Sequence, residues 1–114
     1  MIARDNQAMN RQQQIEQFLM EAHHLALERL RAQPARLADV TAQLQRWRER
    51  AGPNRSDPYW DEWDVLLTGG VDVIERAVAG VSDHAAALRS VSPVSVLITQ
   101  GERAQLLRHA RRSA

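Results

Sequence analysis

Apolar residues recur along most of this chain at steps of three and four, the spacing that gathers side chains on one face of an α-helix. Ile15, Phe18, Leu19, Ala22, Ala26 and Leu30 form the first such stripe, and Pro34 interrupts it. Asn10 and Gln13 stand at the spacing of a capping box, so the pattern predicts a helix over residues 10–32 behind a frayed polar tail over residues 1–9. Leu37, Val40, Leu44 and Trp47 predict a second helix, packed antiparallel on the first across a short turn and ended by Gly52-Pro53. Turn formers over residues 52–57 then separate this hairpin, residues 10–51, from the rest of a single helical domain over residues 10–114.

Asp57 before Pro58 is a favourable helix start on both capping and dipole grounds. Behind it Trp60, Trp63 and Leu67 share one face until Gly69-Gly70 breaks the run. Val71, Ile74 and Val78 mark a short helix closed by Gly80, and Ser82 opens another that carries Ala85, Leu88 and Val91 as far as Pro93. The β-branched run over residues 94–98 has no second strand to pair with, which would leave its backbone donors and acceptors unmatched. It therefore reads as an extended or single-turn connector docked on the helices. Thr99 and Glu102 repeat the capping-box spacing and open a last helix to about residue 112. The prediction is an all-α fold, a small bundle of about six helices in which a hairpin precedes a short-helix subdomain over residues 57–112.

With 114 residues the chain has one domain's worth of length, and it contains no cysteine. Disulfide frameworks, thiolate metal sites and cysteine nucleophiles are thereby excluded, and a reduced, cytoplasmic setting is expected. No run of 18 apolar residues occurs and no apolar stretch follows Met1, so neither a membrane span nor a secretory signal is expected. The net charge of +1 conceals an uneven distribution: +3 over residues 1–56, −6 over residues 57–75 and +4 over residues 76–114. All 15 basic residues are arginine, the side chain best suited to two-pronged ion pairing.

Candidate chemistry is sparse. Glu21, His24 and Glu28 would share a helix face, but a carboxylate-bridged metal site needs a second such motif and further carboxylates, so no metal or cofactor is expected. Serine elbows, phosphate-cradling loops and dinucleotide fingerprints are missing from the sequence. The basic runs at residues 46–50 and 108–112 are competent phosphate donors, yet the central acidic block and the small net charge argue against a dedicated nucleic-acid binder. Arg103 and His109, with five residues between them on the last helix, resemble the Arg-x(4–6)-His signature of HEPN-type ribonucleases. That resemblance implies an alternative function, in which Arg103 and His109 of two protomers meet across a dimer groove and cut RNA, guanidinium on phosphate and imidazole as proton carrier.

The segment over residues 57–64 concentrates two of the three tryptophans and the single tyrosine among four acids. With Trp60, Trp63 and Leu67 turned to the core, Tyr59, Asp61, Glu62 and Asp64 form an anionic, aromatic ridge of the kind that anchors in a basic groove of a partner protein. Over residues 59–103 the order of features is similar to a group of small bacterial proteins encoded beside nucleotidyltransferase-type toxins. The shared pattern is Tyr59-Trp60-Asp61-Glu62-Trp63, then Leu66-Leu67-x-Gly69, then Leu88-Arg89-Ser90-Val91-Ser92-Pro93, then Leu97 and Thr99 ahead of Glu102-Arg103. The resemblance implies an antitoxin or accessory protein, not an enzyme, whose partner is a cognate toxin; a homodimer is a separate expectation, as the ribonuclease alternative requires one.

Overall fold

The computed structural model describes residues 2–113, with side chains over residues 11–112. Six α-helices follow one another: α1 (Ile2–Ala32), α2 (Leu37–Ala51), α3 (Asp57–Gly69), α4 (Val71–Val78), α5 (Asp83–Ser90) and α6 (Gln100–Ser113). Short 3-10 turns occupy Pro34–Arg36 and Pro93–Leu97, and no strand occurs among the described residues. The chain is thus an all-α bundle, and the β-branched run over residues 94–98 forms a single-turn connector.

Side-chain caps mark two of the helix starts, those of α5 and α6. Ser82 caps α5 by accepting the Ala85 N–H at 3.1 Å. At the start of α6 the expected capping box is complete, with Thr99 N–H donating to Glu102 at 2.9 Å and Glu102 N–H donating to Thr99 Oγ1 at 3.1 Å. Two boundaries differ from expectation. Helix α1 starts at Ile2, so Asn10 lies inside it rather than capping it; residues 2–10 contain no proline or glycine and include several good helix formers, and nothing stops the helix from extending backwards. Side chains over the expected tail, residues 1–9, lie outside the described set. Helix α3 has Ser56 at its N-cap, and Asp57 stands inside the first turn with its carboxylate accepting the Asn54 N–H at 3.1 Å.

Between α3 and α4 a single residue does two jobs. Gly70, at φ +87°, is the C-cap of one helix and the N-cap of the next, so the two meet without a linker. The neighbouring Gly69 allows that close meeting: a Cβ there would fall 2.7 Å from Cγ2 of Val73.

The main core draws Ala26, Leu27 and Leu30 from α1, Val40 and Leu44 from α2, and Trp60, Trp63, Leu66 and Leu67 from α3. Ile74, Val78, Leu88, Val94 and Leu97 complete it. Phe18 and Ala22 of α1 close a smaller core with Ala110 of α6. Trp60 and Trp63 are core residues, as their spacing predicts, and each also uses its indole N–H. Trp63 donates to the Leu88 carbonyl at 3.0 Å and Trp60 to the Val91 carbonyl at 3.1 Å, which ties α3 to the end of α5.

Helices α1 and α2 are joined by a short turn, but they do not pack along each other as the expected hairpin would. The Pro93–Leu97 turn packs against both, and α1 takes α6 as its principal helical neighbour. The physical reason is the apolar character of that turn: Pro93, Val94 and Leu97 are buried, and cover for them must come from more than one side.

The uneven charge of the sequence is resolved by arginine clamps between helices. Arg31 of α1 donates to Asp72 and Glu75 of α4, both at 2.7 Å. Arg48 of α2 reaches Asp61 at 2.6 Å and Asp64 at 2.8 Å on α3. Arg29 of α1 donates to the Leu97 carbonyl at 3.0 Å and grips Glu102 at the start of α6. That grip, helped by Thr99, draws the Glu102 carboxyl down to about 2. Arg89 is buried, and its Nη1 donates to the carbonyls of Val78 and Gly80 at 2.6 and 2.7 Å, closing the end of α4.

Candidate functional site

Tyr59, Asp61, Glu62 and Asp64 lie on the first turns of α3 around the buried pair Trp60 and Trp63, with Asp61 and Asp64 exposed and Tyr59 and Glu62 half-buried. Asp61 and Asp64 are three residues apart and so lie side by side on the helix surface. Their side chains are 69 % and 56 % exposed. Each gives one oxygen to the two prongs of Arg48, which hold the carboxylates in a fixed pair. Asp61 first, with Asp64 behind it, raises the Arg48 pKa further above the ordinary arginine value.

Glu62 points the other way around the helix. Both its oxygens lie on His84 Nε2, at 2.7 and 2.9 Å, and the His84 ring is tilted against Tyr59 with centroids 5.9 Å apart. Tyr59 itself is half-buried and packs on the edge of the main core. The four ridge residues therefore form two units: an Asp61–Asp64 pair bridged by Arg48, and a Glu62–His84–Tyr59 group toward α5. Arg48, part of the basic run over residues 46–50, and His84 are not legible as partners of the ridge in the sequence, because they lie 13 to 22 residues from the acids they meet and no local spacing announces such pairs.

The Arg103 and His109 side chains both meet α1 but not each other. Six residue steps along α6 set them about 9 Å apart along the helix axis. The Arg103 guanidinium lies 5.0 Å from the centroid of the Phe18 ring, whereas His109 Nε2 is 3.4 Å from Glu21 Oε1. Glu21 is thereby turned away from His24, which pairs with Glu28 at 3.2 Å on an exposed face. Among the described residues no group of three or more His, Asp or Glu side chains is placed to hold a metal ion, and no helix is long and apolar enough to cross a membrane.

Chemically, the α3 surface can accept hydrogen bonds and attract cations, and it offers no nucleophile activated by a neighbouring base. Its carboxylates are held before any partner arrives. No protein-family model, curated protein or solved structure matches this chain.

Proposed function

We propose that this chain is an antitoxin-like protein-interaction module, which uses the α3 ridge to occupy a basic groove of a cognate toxin of the nucleotidyltransferase type. The observation that carries the reading is the Arg48 clamp on Asp61 and Asp64. A carboxylate pair already fixed in the free protein loses little side-chain freedom on binding, so more of the charge attraction survives as affinity. Arg48 uses one oxygen of each carboxylate, and the exposed remainder is available to an incoming guanidinium or ammonium group. Arg48 also halves the local charge of that pair, so the ridge acts by placed acceptors and steering rather than by bulk negative potential.

The test is titration of the wild-type protein and of a triple variant, Asp61→Asn, Glu62→Gln and Asp64→Asn, with the product of the adjacent reading frame at two salt concentrations. The reading requires weaker binding by the variant, chiefly through slower association, and a shallower salt dependence. Equal affinities at both salt concentrations, with the helical spectrum intact, would make the ridge a solvated face and end the proposal.

A further inference from the structure

Away from the acidic face of α3, a cleft of about 500 Å³ opens between α1, the tryptophans of α2 and α3, the end of α5 and the start of α6. Small-molecule sites commonly measure about 300–1,000 Å³. One wall is aromatic: Trp47 and Trp60 stand 6.3 Å apart, tilted by 32°. The titratable side chains in the lining are Arg89, Arg103 and His23, and among the described residues neither Asp nor Glu lines the cleft. Arg89 is held by Glu16 and by the Val78 and Gly80 carbonyls, so Arg103 is the cation by which this concave surface selects for an anion.

Two of these residues are prepared for a ligand. Arg103 rests over the face of Phe18, a cation–π contact that orients the guanidinium, and no carboxylate pairs with it among the described residues. His23 is only 6 % exposed. Its Nδ1–H donates to the Leu19 carbonyl of its own helix at 2.7 Å, which fixes the tautomer and leaves Nε2 as a bare acceptor on the opposite edge of the ring. Nε2 is buried and has no partner among the described residues. Burial, joined by the nearby Arg89 charge, keeps the His23 pKa below the ordinary value, so this acceptor persists at neutral pH. Around the mouth, Ser90, Ser95, Thr99 and Gln100 are exposed and supply further hydrogen-bonding groups.

We propose that this cleft is a binding site for a small aromatic carboxylate, its ring against the Trp47–Trp60 wall and its carboxylate on Arg103. The ring would bury apolar surface against indole faces, where offset or tilted stacking is favoured. The carboxylate would meet a planar two-pronged donor with no competing carboxylate among the described residues. A ring hydroxyl or ring N–H on the ligand would answer the His23 acceptor. This site is independent of the α3 ridge and stands or falls without it.

The experiment uses 2-naphthoate as the probe and its neutral amide, 2-naphthamide, as the control, with affinity from calorimetry and location from amide and indole N–H chemical shifts. One molecule of naphthoate should bind per chain, shifting the Trp47 and Trp60 indole signals, while naphthamide binds at least about tenfold more weakly. Arg103→Gln, a change at an exposed side chain, should weaken naphthoate by a similar factor and leave naphthamide unchanged. Ser95→Phe at the mouth should weaken both probes. The proposal is overturned by naphthoate and naphthamide binding equally, by shifts confined to other surfaces, by unchanged affinity in a folded Arg103→Gln protein, or by no binding at millimolar concentration.

Discussion

Arg89 offers the sharpest test of how this fold is held. Its guanidinium is buried and donates at 2.6 and 2.7 Å to the carbonyls of Val78 and Gly80, at the end of α4 where unpaired acceptors and the negative end of the helix dipole coincide. Arg89→Met keeps much of the aliphatic stem but donates nothing. Each charge-assisted bond of this kind is worth about 1.5–3 kcal/mol, and because Gly80 is exposed, water can replace the bond at its carbonyl. The expected loss is therefore about 3–5 kcal/mol rather than the full sum. The Glu16 contact, at 3.3 Å with the Glu16 side chain 38 % exposed, adds little. Arg89→Lys keeps the charge without the planar fork and should cost about half as much. At this chain length 1 kcal/mol corresponds to about 4 °C in Tm, so the methionine variant should melt about 12–20 °C lower. Urea unfolding followed by far-UV circular dichroism, together with thermal melts, measures all three proteins. A loss below about 1 kcal/mol for Arg89→Met would refute the reasoning, because desolvation of the guanidinium would then cancel what its hydrogen bonds contribute.

Further expectations follow from single contacts. Trp63→Ala should cost about 3–5 kcal/mol and Trp63→Phe roughly 1–3, the smaller loss reflecting the Leu88 carbonyl left without its indole donor; urea midpoints give both values. Gly70→Ala should destabilise by about 1–2 kcal/mol in the same assay, because φ +87° is a conformation that a side chain resists. In acid, His23 and Glu102 act in different windows. The unfolded chain protonates His23 more readily than the fold does, so stability should decline as pH falls below the ordinary histidine value of 6.5, and His23→Leu should flatten that decline. Glu102 contributes fully above 4.5 and loses its contribution as pH falls from there to about 2, so Glu102→Gln should flatten the lower limb of a stability-against-pH curve.

What the sequence made legible was whatever physics acts within about one helical turn. The Ser82 cap, the Thr99–Glu102 box and the burial of Trp60 and Trp63 all rest on spacings of three or four residues, and all are present. The Asn10–Gln13 spacing was equally good on paper, but a capping box becomes a boundary only where something outside it disfavours more helix, and residues 2–9 contain no breaker. Long-range pairing was opaque. The basic first half and acidic middle of the chain were visible as a charge pattern, whereas its meaning, Arg31 on Asp72 and Glu75 and Arg48 on Asp61 and Asp64, required the topology. The same holds for the ridge: its four residues do share one short stretch of α3, but their division between Arg48 and His84 depends on where α2 and α5 lie. No local spacing marks Arg89 as buried; its reach to the end of α4 depends on where α4 and α5 meet.

The packing of α1 against the Pro93–Leu97 turn and α6 also sets the order in which this protein can be built. On a ribosome the first helix emerges long before the segments that cover it. About 80 residues separate the end of α1 from the end of α6, which at about 5–20 residues per second is about 4–16 s of synthesis. Throughout that interval Phe18 and Ala22 have no Ala110 to close over them, and Arg29 has no Glu102 to grip. The nascent chain therefore carries an uncovered apolar stripe until α6 has emerged, and a chain that stops short of Ala110 leaves Phe18 and Ala22 without that cover.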